Sequence, residues 1–180
     1  MNIMLDLETM GNGSNAAIIS IGAVAFDIRK RELGAEFYQL VTLESSMETG
    51  GECDASTILW WMGQSEEARR CIIVPPVAVT ISEALQKFSC WYDQVAKEDG
   101  EVWGNGATAD NVWLANAYRR LNLPVPWFYR KDRCYRTAKA LHPKVVRKPY
   151  GIAHNALDDA KGQALHLIEM LNPIPNEAHT

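Results

Sequence analysis

No apolar run in this 180-residue chain is long and unbroken enough to cross a bilayer, so no transmembrane helix is expected. The opening Met1-Asn2-Ile3-Met4-Leu5-Asp6 lacks the basic region and extended apolar stretch of a signal peptide, which makes a cytoplasmic location the expectation. Cysteine is sparse. Cys53, Cys71, Cys90 and Cys134 are scattered, and no CxxC pair suggests a zinc site or a redox motif, so reduced thiols are expected. Positive charge is not in excess either: the net charge of −4 argues against a protein that coats nucleic acid by charge alone, although an enzyme with a local basic track remains compatible. Internal repeats and low-complexity segments are absent, so solenoid and linker architectures are excluded. What remains is one domain over residues 1–172 with a short tail, 173–180, after the terminators Pro173 and Pro175. With 47% of residues apolar, that domain can build its core without disulfides or structural metal.

The hydrophobic pattern changes period along the chain. Ile3 to Leu7 is a short apolar run ending in acidic residues, as a buried strand does at a functional edge. The turn Gly11-Asn12-Gly13-Ser14-Asn15 leads to a long apolar strand from Ala17 to Phe26. Arg29-Lys30-Arg31 reads as a hairpin tip, and Glu36 to Thr42 alternates as a third strand. These three make an antiparallel meander.

Helical spacing follows. Asp54 or Ser56 can cap a helix through Trp61 and Met62, a short helix fits Ser65 to Cys71, and Pro75-Pro76 breaks the chain. Ser82 starts an amphipathic helix carrying Ala84, Leu85, Phe88, Trp91, Tyr92 and Val95. Val102-Trp103 is a short strand entering Gly104-Asn105-Gly106. Helices are predicted from Asp110 to Leu121, from Thr137 to Leu141, and from Ala156 to Leu171. A meander followed by strands alternating with helices is an α/β layout.

Three acidic motifs carry the chemistry. Asp6 and Glu8 sit two apart on a strand, so both point to one face, where they repel each other unless a cation lies between them. Hard oxygen ligands favour magnesium or manganese over zinc. Taken alone, an Asp-x-Glu is equally a solvated strand end. Asp110 opens a helix after the glycine turn, a position where aspartate is favoured for capping and dipole reasons without any function. His154-Asn155-Ala156-Leu157-Asp158-Asp159 opens the last helix. Its two aspartates could merely complement the dipole, but histidine is also the side chain that accepts a proton near neutrality.

The combination says more than its parts. Asp-x-Glu-Thr closing the first strand, an Asp after a Gly/Asn turn in mid-chain, and His-x-Ala-x-x-Asp on the last helix resemble the DEDDh exonucleases. That group includes RNase T, oligoribonuclease and the polymerase proofreading subunit. The resemblance spans Asp6 to Asp159, and Ile18 to Val24 looks like the family's second strand. Trp60-Trp61, Glu67-Ala68-Arg69 and Arg136-Thr137 are most similar to a bacterial and prophage branch described as exoribonuclease-like or exodeoxyribonuclease VIII-like.

The resemblance implies an RNase H-like fold: a mixed sheet with an N-terminal antiparallel meander, flanked by helices. It implies two magnesium or manganese ions held by Asp6, Glu8, Asp110 and Asp159, with His154 as general base. Thr9 and the Met10 backbone would lie near the terminal nucleotide, with Asn105 in a turn that lets backbone approach substrate. The implied partners are 3′ ends of RNA or DNA, with no membrane, and a homodimer is a state many relatives adopt. Periodicity alone does not choose between Asp158 and Asp159, because the stripe Leu157, Ala160, Ala164, Ile168 and Leu171 leaves both off-centre. The family spacing selects Asp159.

Trp60 or Trp61 could stack on bases, Trp61 being the one assigned to substrate, while core packing suits at least one of them. Arg130-Lys131-Asp132-Arg133 and Lys144 to Lys148 form a basic segment that steers a phosphate backbone or is simply a solvated loop. Two readings compete with an exonuclease: a binding or adaptor module on the same fold, which calls for a broken ligand set, and a phosphodiesterase of small nucleotides.

Overall fold

A computed structural model describes residues 1–70, 72, 77–96 and 100–172. Cys71, Pro75-Pro76 and the tail with Pro173 and Pro175 lie outside the described residues. The chain runs β1 (Asn2–Thr9), β2 (Ile18–Asp27), β3 (Glu32–Leu40), α1 (Leu43–Glu48), α2 (Ala55–Met62), α3 (Glu66–Arg70), α4 (Ile81–Val95) and β4 (Val102–Gly104). It continues with α5 (Asp110–Arg120), a 3-10 turn at Tyr129–Lys131, β5 (Asp132–Cys134), α6 (Tyr135–Leu141) and α7 (Ala156–Leu171). The five strands form one mixed sheet in the order β3-β2-β1-β4-β5, with the first three antiparallel and β1, β4 and β5 parallel. The expected meander is present. Its hairpin closes where Asp27 Oδ1 accepts the backbone N–H groups of Arg29 and Lys30 at 2.9 and 3.0 Å.

Side-chain alternation along β1 sorts the core into two layers. Ile3, Leu5 and Leu7 face α4 and α5, packing with Leu85, Phe88, Leu114 and Tyr118. Met4 points the other way, toward Ala160, Ala164, Leu167 and Ile168 of α7. Strand geometry therefore puts Asp6 and Glu8 on the α7 side as well.

Two glycines let helices come close to this strand. A Cβ on Gly22, the register partner of Asp6, would lie 2.1 Å from the carbonyl carbon of Ala156, so only glycine admits the first turn of α7 onto β2. A Cβ on Gly104 would sit 2.2 Å from Asn111 Oδ1 and 3.1 Å from Asp110 Cβ, so the same device admits the start of α5. The glycine turn thus serves the approach of a helix, in addition to whatever it offers a substrate.

Several boundaries differ from the sequence reading. Helix α4 begins at Ile81, one residue early, because Thr80 Oγ1 accepts the Glu83 N–H and caps it. Helix α6 begins at Tyr135 with Cys134 as its cap. The short α1 and the three-residue edge strand β5 were not expected. Residues 130–133 are no loose loop: Asp132 Oδ1 accepts from Trp127 Nε1 at 2.8 Å and Asn111 Nδ2 at 2.9 Å, and Arg133 pairs with Glu101. The buried face of α7 is also rotated from the expected stripe. Leu167 and Met170 are buried, whereas Leu171 is exposed. Among the described residues no helix is long and apolar enough to cross a membrane, and Cys53, Cys90 and Cys134 are free thiols.

Candidate active site

β4 pairs with β1 only as far as Leu5, which leaves the next stretch of the β1 edge open. Asp110 fills it: the Leu7 N–H donates to Asp110 Oδ1 at 3.2 Å. Asp110 therefore sits beside Asp6 and Glu8 although more than a hundred residues separate them. From the other side α7 brings Asp159 and Gln163. All four carboxylates, with Asn105, Arg136, Arg147, His154 and Gln163, line one cleft of about 280 Å³.

The electrostatics of the cluster show its strain. Burial pushes the Asp6 carboxyl well above the usual range of a carboxylic acid, and the charges of Asp110 and Asp159 push it further. The Gln163 amide opposes this by donating to Asp6 Oδ1 at 2.7 Å, and the Arg147 charge opposes it from a distance. Asp110 rises from 3.8 to about 7, again chiefly through burial, against the pull of the Leu7 N–H and other backbone donors. Buried carboxylates raised together are what a bound cation reverses. Glu8, His154 and Asp159 place ligand atoms within 4.8 Å of one another. An all-carboxylate set with one imidazole at its edge suits a hard divalent cation.

The entry to α7 turns its two aspartates in different directions. Asn155 is the cap, its side chain accepting the N–H groups of Leu157 and Asp158 at 3.1 Å each. His154 thus precedes the helix, with a left-handed backbone (φ +64°) that costs a non-glycine residue about 1–2 kcal/mol. Its N–H donates to Asp159 Oδ2 at 2.8 Å. Asp158 instead accepts the Ile152 N–H at 2.8 Å and secures the preceding turn. Asp159 lines the cleft; Asp158 does not.

Trp60 and Trp61 flank the histidine edge-on, with ring centroids 4.9 and 6.0 Å from the imidazole. Trp61 corrects the sequence reading. It is only 3% exposed, and its indole N–H donates to the Thr9 carbonyl at 3.0 Å, so it has no face open to a base. Trp60 is 45% exposed. Thr9 is buried, with its hydroxyl donating to the Gly11 carbonyl, and the Met10 backbone is engaged by Ala17 and Asp54. Asn105 lines the cleft, its carbonyl accepting from Arg136 Nη2 at 2.9 Å.

Sequence reasoning did not place Gln163, Arg147 or Arg136 in the cleft. Gln163 had a usable signal, since it lies four residues beyond Asp159 and shares its face of α7. Arg147 pairs with Asp159 Oδ1 at 2.7 Å, yet in sequence it is one cation among several. Arg136 had been noted only as part of a family pattern. Within the two basic stretches, Lys148 pairs with Glu169 and Arg130 lies over Phe128 and Tyr129, so Arg147 alone reaches the carboxylates.

Comparison with known proteins points to nucleases. An exodeoxyribonuclease of Enterobacteria phage T4 is 33% identical over 133 residues, 67% of this chain, and the chain spans 58% of that relative's length. The nuclease domain of 3′hExo, a DEDDh family member solved bound to rAMP, superposes with a TM-score of 0.62 at 18% identity, covering 94% of this chain and 90% of that one. Cell-death related nuclease 4 gives 0.63 at 18% identity, covering 94% and 63%. At such identities the likeness speaks for the fold, which is the RNase H-like fold of DEDDh exonucleases. Residues 1–171 match the 3′-5′ exoribonuclease Rv2179c-like domain, and the chain belongs to that family.

Proposed function

We propose that this chain is a metal-dependent 3′–5′ exonuclease that hydrolyses the last phosphodiester of a nucleic acid and releases nucleoside 5′-monophosphates. The observation that carries this reading is the convergence of Asp6, Glu8, Asp110 and Asp159 on one cleft, with His154 beside Asp159. Asp6, Glu8, Asp110 and Asp159 would hold two magnesium or manganese ions there, Glu8 and Asp159 the first and Asp110 the second. When bound, such ions activate water and stabilise the leaving oxygen of an in-line displacement.

The chain supplies the rest. His154 takes the proton of the attacking water on an imidazole nitrogen, and the two tryptophans restrict the ring to its place. Gln163 fixes the rotation of Asp6 through Oδ1. Trp61 supports the Thr9 carbonyl from behind, while Thr9, the Met10 backbone and Asn105 border the terminal nucleotide. The family name specifies an exoribonuclease and the phage relative is an exodeoxyribonuclease, so 3′ ends of both RNA and DNA are proposed as substrates.

The test is incubation of 5′-labelled single-stranded RNA, single-stranded DNA and overhang duplexes with manganese or magnesium. A descending ladder, blocked by a modified 3′ end and abolished by EDTA, is expected. Cleavage of a circular strand, or full activity in EDTA, overturns the reading. Sedimentation of the same preparation reads the homodimer that the family resemblance implies.

A further inference from the structure

We infer that Arg147 is a displaceable cation of the cleft: it competes with divalent ions for Asp159 and, once it yields that carboxylate, grips a phosphate of the bound strand. The second half of this inference rests on the exonuclease reading; the competition for Asp159 does not.

Both oxygens of Asp159 are engaged by the chain itself. Oδ2 accepts the His154 N–H at 2.8 Å, and Oδ1 accepts from Arg147 Nη2 at 2.7 Å. The first bond belongs to the backbone at the entry to α7 and is held by the Asn155 cap. The second comes from a long side chain that can turn away. An ion taking Oδ1 meets a guanidinium at contact distance, and two cations on one oxygen repel, so one of them has to leave. The cleft's other arginine is differently placed: Arg136 donates to the Asn105 carbonyl.

Arg147 is built to let go locally. Its side chain is 30% exposed, so a path to the cleft mouth is open. The segment that carries it is tied down on both sides. Val145 offers its carbonyl to His166 Nε2 at 2.9 Å, and Lys148 pairs with Glu169 at 2.8 Å. His166 is buried. Because a carbonyl only accepts, its Nε2 donates to Val145, and its Nδ1 shares a hydrogen bond with the Tyr135 hydroxyl at 2.7 Å. With the backbone anchored there, rotation of the side chain moves the fork while leaving it over the cleft. A planar fork of N–H donors matches the paired oxygens of a phosphodiester, which makes the strand's phosphate the ligand class it suits.

Calorimetric titration of manganese, and then of adenosine 5′-monophosphate at saturating manganese, tests this on the EDTA-treated wild type, Arg147→Gln and Arg147→Lys. Losing a partly exposed ion-pair partner should tighten manganese binding to Arg147→Gln about fivefold. Losing a charge-assisted bond should weaken its nucleotide binding about ten- to hundredfold. Arg147→Lys should bind manganese much as wild type does and the nucleotide less well, because the forked contact is gone.

Equal or weaker manganese binding by Arg147→Gln, with an unchanged melting temperature, overturns the competition. Unchanged nucleotide affinity overturns the phosphate contact. Loss of both together with a lower melting temperature means that Arg147 merely orders Asp159, which also overturns the inference. If the wild type itself binds no manganese, the exonuclease reading fails first, and that result is visible before any variant is made.

Discussion

Asp110 offers the most direct physical test of the site, because the burial that places it also makes its charge expensive. Its carboxyl rises from 3.8 to about 7 in the fold. At about 1.4 kcal/mol per pH unit between those values, holding Asp110 ionised costs the metal-free protein up to roughly 4 kcal/mol. The sign follows from proton counting. Between about pH 4 and 7 the folded chain holds a proton on this group that the unfolded chain has released, so stability falls as pH rises through that window and levels off above it. Asp6 is shifted the same way by burial and by its acidic neighbours, so the two slopes reinforce each other.

Asp110→Asn removes the charge and keeps an oxygen for the Leu7 N–H. In EDTA at pH 8 this variant should melt higher than wild type. A domain of this size gains roughly 2–4 °C per kcal/mol, which sets the ceiling on the order of 10 °C. At pH 4 the two should nearly coincide. Saturating manganese should reverse the order, since a ligand that binds only the folded state raises the wild type and has lost a ligand in the variant. Melting followed by circular dichroism from pH 4 to 9, with EDTA and with manganese, reads all three. A metal-free wild type whose melting temperature rises from pH 4 to 7, or an Asp110→Asn that melts lower at pH 8 in EDTA, refutes the reasoning.

Three further outcomes are expected. Asp159→Asn should lose most exonuclease activity and most of the metal-induced thermal shift, whereas Asp158→Asn should cost about 0.3–1 kcal/mol of stability and leave turnover near wild type; the reverse pattern places the ligand one residue earlier. His154→Ala should still take up manganese but turn over roughly 10²–10⁴ times more slowly, and single-turnover rates equal to wild type dismiss it as the base. Gly22→Ala should be destabilised by about 1–3 kcal/mol or more, with activity falling too, because the new methyl meets the Ala156 carbonyl and lifts α7 from the sheet. Chemical denaturation and a ladder assay on one preparation read both effects, and unaltered stability would show that α7 does not need that contact.

The sheet and the acidic residues were legible for different reasons. The meander followed from alternation and from the charged tip at Arg29 to Arg31. That Asp6 and Glu8 share a face followed from their two-residue spacing; that the face is the α7 side needed the packing of Met4. Strand β5 was hidden because Asp132-Arg133-Cys134 is short and polar, and its pairing depends on contacts from Trp127 and Asn111 that no local pattern shows. The choice between Asp158 and Asp159 could not be made from periodicity because His154 lies outside the helix, where four-residue spacing does not apply. Trp61 was misassigned because aromatic character is the same in a core as on a stacking platform. Its burial and the bond from its indole to the Thr9 carbonyl separate the two.

The contact between Gln163 and Asp6 joins residues 157 positions apart. A chain still emerging from the ribosome therefore cannot bring Asp159 or the α7 cover to Asp6 and Glu8 until the α7 segment has been made. Until that helix lands on Gly22, Met4, Val24 and Phe26 lack the α7 part of their packing and the carboxylates lack their fourth member. A cleft that only α7 completes is incomplete in any fragment stopped before residue 159.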